Sequence, residues 1–307
     1  MGLIKTKETL TSLLPVDGNV DEKLILRFLD SVEMNKIVSL IGFEFYNKLD
    51  QQQEELSDKE KQVLKFFQTA SGFFAMIKAA KFLRTKMSNS GLNSTKTTNT
   101  EKATWYEFID TVNAYYEGAY EALDNAFKFM ESSLSDFGLW TNSTAYKDYQ
   151  NLIVNKVSDF QNFYNINESW ITFNSLKPLM HEVEEEYIKP FLGDCFDELK
   201  SNSEIKKLLV PAIVNYTVAK SAITGAFSFE GNLLKLQWSE FPHQKSVVMD
   251  ETQRRNFIEN REKAGLEYLR KLKKYLIKEK ENYPCFKITE SNNNSKIITN
   301  DAGMFLF

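Results

Sequence analysis

One stretch of this chain occurs twice. Ile25, Phe28, Leu29, Val32, Lys36, Ile37, Leu40 and Ile41 lead into Gly42 and then Phe45; Leu176, Leu179, Met180, Val183, Tyr187, Ile188, Phe191 and Leu192 lead into Gly193 and then Phe196. Each pair is 151 positions apart, and seven of the eight pairs before the glycine are apolar in both copies. Steps of three, four and one predict one face of an amphipathic helix about five turns long. A glycine after the last apolar pair predicts a helix stop, because the left-handed conformation at that position suits a residue without a Cβ. Two such helices in phase within 307 residues predict a tandem duplication. The expected fold class is therefore mainly α: two tandem helical-bundle domains with a small β-hairpin insertion and an extended C-terminal tail.

The rest of the chain arranges itself around these copies. Residues 1–20 show no helical period, and the turn chemistry of Pro15-Val16-Asp17-Gly18 predicts an arm or loop. Asp21 is placed to cap the first repeated helix. A helix from Ser57 follows, rich in small residues (Ala70, Gly72, Ala75, Ala79, Ala80), then a polar loop over Ser88–Thr100 and a helix from Lys102 to Met130. In the second copy, Ser175 is the expected N-cap, with Pro178 in the first turn. Ile205–Ile223 is the second small-residue helix, which Pro211 either kinks or starts, and Glu251–Glu281 is the last long one. Phe227–Leu236 alternates around Gly231-Asn232, a hairpin signal. The expected domains are 1–131 and 173–281, with 132–172 as a connecting segment carrying a helix over Ser143–Phe163, and 282–307 as a tail.

Only 12 Gly and 6 Pro interrupt the chain, which favours long helices. The net charge of −4 argues against a general polyanion binder. Two cysteines, Cys195 and Cys285, do not describe a disulfide scaffold; Cys195 reads as a small buried side chain and a reducing compartment as the default. No signal peptide is expected, and Ala70–Leu83 is too short and too charged to span a membrane. No catalytic constellation stands out. His181-Glu182 resembles the start of a zinc-protease helix, but Glu185 occupies the position of the second histidine. The run Glu182, Glu184, Glu185, Glu186 reads as a solvated face. A non-enzyme without cofactor or metal is expected.

One charge pattern rises above this background. Over Glu101–Glu131, seven acidic residues, among them Glu117, Glu121 and Asp124, oppose two lysines. Over Glu251–Lys280, ten basic residues, among them Arg254, Arg255, Arg270, Lys271 and Lys274, oppose five glutamates. The last helices of the two copies thus carry about −5 and +5. Complementarity between subunits and contact with nucleic acid are the two functional readings. Of these, contact between subunits is favoured over DNA, and two solvated faces with drifted charge are the plain alternative. Phe229, Leu234 and Trp238 in the hairpin, and Phe305, Leu306 and Phe307 at the end of the tail, complete the set of expected interface residues, as apolar groups that other chains would cover.

The residues Val183, Glu184, Ile188, Pro190, Leu192, Gly193 and Phe196, preceded by Phe160, Tyr164, Ile166 and Phe173 and by Trp140, Ser143, Ala145 and Tyr146, carry a family resemblance. The chain resembles uncharacterised proteins of tailed phages and prophages of Bacteroidota, similar in turn to helical head–tail connector (adaptor) proteins. The first copy departs from that pattern, with Ser39 in place of Pro190 and Lys36 in place of Tyr187. The resemblance implies a virion structural protein in the neck, assembled in the host cytoplasm. It would form a homo-oligomeric ring below the portal protein, contact other neck or tail proteins, and surround a channel for double-stranded DNA, with no membrane partner. The alternative expectation is a soluble helical scaffold or regulatory binding protein.

Overall fold

The duplicated stretch folds the same way in both halves. The computed structural model describes residues 2–15, 22–88, 91–94, 104–224, 226–230, 233–236 and 250–286. The chain is mainly helical and divides into two compact units, Met1–Asp148 and Tyr149–Phe307. The first unit begins with α1 (Lys7–Leu13) and α2 (Glu22–Glu33). A π-helical turn over Met34–Val38 follows, then α3 (Ser39–Ile41), α4 (Phe43–Gln51) and α5 (Asp58–Arg84). The antiparallel strands β1 (Thr85–Ser88) and β2 (Gly91–Ser94) precede α6 (Trp105–Glu131), and α7 (Gly138–Thr141) and α8 (Thr144–Gln150) lead to the boundary. The second unit holds α9 (Val157–Gln161), α10 (Trp170–Val183), a π-helical turn over Glu184–Ile188 and α11 (Lys189–Leu192). A 3₁₀ turn over Gly193–Cys195, α12 (Phe196–Leu199), α13 (Ser203–Thr224), the antiparallel strands β3 (Phe227–Glu230) and β4 (Leu233–Leu236), and α14 (Glu251–Lys278) complete it. In each unit the repeated helix packs on the first long helix, and the two long helices pack on each other.

The π turns follow from the spacing of the buried residues. Ile25, Leu29, Val32, Ile37 and Ile41 are buried in the first unit, and Leu176, Met180, Val183, Ile188 and Leu192 in the second. Both series step by four, three, five and four. A step of five in a regular α-helix would swing Ile37 and Ile188 well off the buried stripe. A π turn takes up one more residue per turn and returns them to it. Pro190 is not the cause, because the first unit has Ser39 there and makes the same turn. Gly42 and Gly193 end both helices at positive φ (81° and 57°), but with ψ of 156° and −135° rather than in the expected left-handed helical region. This is backbone that a side chain resists even more strongly.

Several expectations are corrected. The first arm is helical: the Thr6 hydroxyl accepts a hydrogen bond from the Thr9 N–H and caps α1. Leu10 and Leu14 enter a core cluster with Ile4, Ile25, Leu29, Ala75, Met76 and Ala79. Burying each such leucine contributes on the order of 1.5–3 kcal/mol. The segment 132–172 is divided between the units, and its helical part breaks into α8 and α9. The second portion is the counterpart of the arm. Leu3, Ile4, Leu10 and Leu14 match Ile153, Val154, Phe160 and Tyr164 at an offset of 150, and all eight are buried. Helix α10 is capped by Ser169 rather than Ser175, which puts Pro178 inside it, and Pro211 lies within α13 rather than at its start. The polar loop of the first unit opens as a second hairpin, so the insertion between long helices is common to both copies. Asp21 and the tail from residue 287 lie outside the described residues.

The second long helices also share a device. Both begin with a capping box, Thr104 with Glu107 and Asp250 with Gln253. Both carry a glycine under an aromatic ring of the partner helix. A Cβ at Gly118 would lie 2.8 Å from the Phe73 ring, and one at Gly265 2.8 Å from that of Tyr216.

Candidate interaction surfaces

The polar centre of each unit is a carboxylate that holds the arm. Glu33 is fully buried; its two oxygens share the N–H of Leu3 at 3.1 and 3.0 Å, and the Tyr46 hydroxyl donates to Oε2 at 2.6 Å. Asp50, also buried, accepts from the Gly2 N–H at 3.1 Å and pairs with Lys5. In the second unit Glu184 accepts the N–H of Ile153 at 2.7 Å. Glu33 and Glu184 are 151 positions apart, so equivalent residues bind equivalent backbone N–H groups. Burial pushes both carboxyls up, against the hydrogen bonds they accept, and brings Glu184 to about 7. Glu184 therefore leaves the solvated face assigned to its acidic run. Its neighbours stay on that face, Glu182 and Glu186 facing Lys220 at 3.3 and 2.9 Å and Glu185 pairing with Lys189. The signal was in the repeat: an identical acidic residue follows Val32 and Val183 inside an apolar stripe.

The charged helices present their heads to solvent. On α14 the buried stripe is Gly265, Leu269, Leu272 and Leu276. Arg254, Arg255, Lys263, Arg270, Lys271, Lys274 and Lys278 are exposed. Arg255 and Lys263 reach Glu251 and Glu259 at 3.5 and 3.9 Å, and Lys271 lies over the Tyr268 ring at 4.9 Å. Among the described residues Arg254, Arg270, Lys274 and Lys278 make no ion pair. On α6, Asp110, Glu117 and Glu121 are exposed, whereas Asp124 is half-buried and already engaged. Glu107 is exposed but committed to the Thr104 cap, whose N–H and hydroxyl hold its carboxyl below the usual range.

The apolar candidates fare differently. Leu234 is fully buried in its own unit, and its N–H donates to the Asn165 carbonyl at 3.0 Å, so it offers no surface to another chain. Phe229 is half-buried against Phe257, with ring centroids 5.0 Å apart. The hairpin therefore closes over its own unit, because its inward residues cover α10 and α13. Trp238, Phe305, Leu306 and Phe307 lie outside the described residues. Cys195 is buried as expected, but it is bonded to Cys285, with Cα atoms 5.4 Å apart. Phe191 and Phe286 pack beside that link, with ring centroids 6.1 Å apart. The two cysteines, 90 positions apart, staple the chain after α14 to the turn at Gly193. Among the described residues no group of three or more His, Cys, Asp and Glu is arranged to hold a metal. No described helix is long and apolar enough to cross a membrane.

These features define a duplicated, mainly helical protein. A family model, the family of unknown function DUF6712, matches residues 37–150 and 174–296, and the chain belongs to that family. No curated protein and no solved structure matches the chain.

Proposed function

We propose that this protein is a head–tail connector (adaptor), a virion structural protein that forms a ring below the portal around the DNA channel. The observation that carries this reading is the opposite charge on equivalent helices of two related units. A subunit with two different, complementary faces associates head to tail, and such heterologous contacts close into rings when the rotation permits. The resemblance to phage connector proteins supplies the biological setting. Its residues Val183, Glu184, Ile188, Leu192, Gly193 and Phe196 fall on the π turn, the buried carboxylate and the glycine end of α10–α12. Other neck or tail proteins would bind the faces left free by the ring.

The test is assembly with a portal. Purified chain mixed with the portal of its own phage should sediment as a stoichiometric ring complex, and the protein should be present in purified virions. A chain that remains a monomer or dimer beside the portal, and is missing from virions, would instead favour a helical scaffold or regulatory protein.

A further inference from the structure

We infer that the acidic face of α6 in one copy pairs with the basic face of α14 in a second copy, with the two helices parallel and residues matched at an offset of 153. This deepens the ring reading and rests on it. The argument begins with spacing. The exposed acids Asp110, Glu117 and Glu121 step by seven and four along α6, and the exposed bases Lys263, Arg270 and Lys274 step by seven and four along α14. Steps of seven and four return to one side of a helix, and each triad spans about 16 Å at 1.5 Å per residue. Parallel alignment therefore brings three opposite-charge pairs into register: Asp110 with Lys263, Glu117 with Arg270, and Glu121 with Lys274.

The intervening residues fit the same register. Glu267, the one acidic residue within the basic stripe, falls opposite Ala114, where it meets no charge. Antiparallel alignments bring like charges together: the one that sets Glu117 against Lys271 places Glu121 against Glu267, and the one that sets Glu117 against Lys274 and Glu121 against Arg270 places Lys128 against Lys263, contacts that cost association. Lys61 and Lys65 of α5 line the groove beside Glu121 and weaken the negative field at that end. Asp110 and Glu117 are not among the residues of that groove. The faces are also available, because Glu117, Glu121, Arg270 and Lys274 are exposed and make no ion pair among the described residues.

Two reversed chains test the paired faces without the portal, and assembly with the portal tests the connector assignment separately. One carries Arg270→Glu and Lys274→Glu; the other carries Glu117→Lys and Glu121→Lys. All four positions are exposed, so circular dichroism, and thermal unfolding at a dilution where the unsubstituted chain is monomeric, should match the unsubstituted chain. Sedimentation velocity at low salt should show self-association of the unsubstituted chain, weakened about tenfold or more in each reversed chain alone. An equimolar mixture should recover it, because every contact in a mixed assembly again joins opposite charges. Lys278→Glu, which faces Asn125 in this register, should weaken association less than Lys274→Glu. A monomeric unsubstituted chain, undiminished association of the reversed chains, or a mixture that does not recover would overturn the pairing. Equal effects of Lys278→Glu and Lys274→Glu would overturn the register.

Discussion

Replacing Glu184 by Gln should stabilise the second unit at neutral and alkaline pH and remove much of its pH dependence. Glu184 is 6% exposed, and its carboxyl accepts the Ile153 N–H at 2.7 Å and is brought to about 7 from an ordinary 4.5, mainly by burial. Raised in the folded state, the group binds its proton more tightly there than in the unfolded chain. Stability is therefore greatest below pH 4.5 and is lost as pH rises toward 7. At pH 8 the cost is about 3 kcal/mol, taking about 1.4 kcal/mol per pKa unit. At pH 5 it is only about 1 kcal/mol on the same basis. The glutamine amide keeps an oxygen for the Ile153 N–H but carries no charge to desolvate. Urea unfolding of both chains at pH 5 and pH 8 should show a gain that grows by about 2 kcal/mol across that interval. Exchange of the Ile153 amide should slow in parallel if the arm is held by this bond. Glu33 titrates in the same direction but is common to both chains, so it cancels in the comparison. A gain independent of pH, or a loss at pH 8, would refute the reasoning.

Two further results are expected. Gly42→Ala should cost about 2–4 kcal/mol and Gly193→Ala about 1–2, because both have positive φ but only Gly42 would also drive its Cβ to 2.8 Å from Ser143. Adding Ser143→Gly should recover only the excess at Gly42, and equal costs in the two single variants would contradict this account. Removing the Cys195–Cys285 link by Cys285→Ser should lower the stability of the second unit by up to about 4.5 kcal/mol, the chain-entropy value for a loop of this length. Reductant should reproduce the loss in the unsubstituted chain and change nothing in the variant; an unmoved unfolding midpoint in both would show that the link contributes nothing to folding.

The helical class, the two-fold repeat and the opposite charges of α6 and α14 were legible because they depend on local spacing. Periodicity, glycine stops and net charge along a helix need no knowledge of what packs against them. Even the π turns leave a trace, as a step of five between Val32 and Ile37 and between Val183 and Ile188. The first arm was read as an arm or loop because α1 is too short to show a period, and its counterpart was read as part of one helix over Ser143–Phe163; what holds both is distant, Glu33 lying 30 residues from Leu3 and Glu184 lying 31 from Ile153. The same limit applies to Glu184 and Leu234. A charge in an acidic run looks solvated, and an apolar residue in a hairpin looks free, until the elements covering them are known. The Cys195–Cys285 link joins positions 90 apart, so no local pattern announces it. Local sequence determined which segments are helical and where their charge lies. Tertiary structure decided which carboxylate is desolvated, which apolar side chain is spent on its own core, and which charged faces remain open, because burial belongs to the packed elements together.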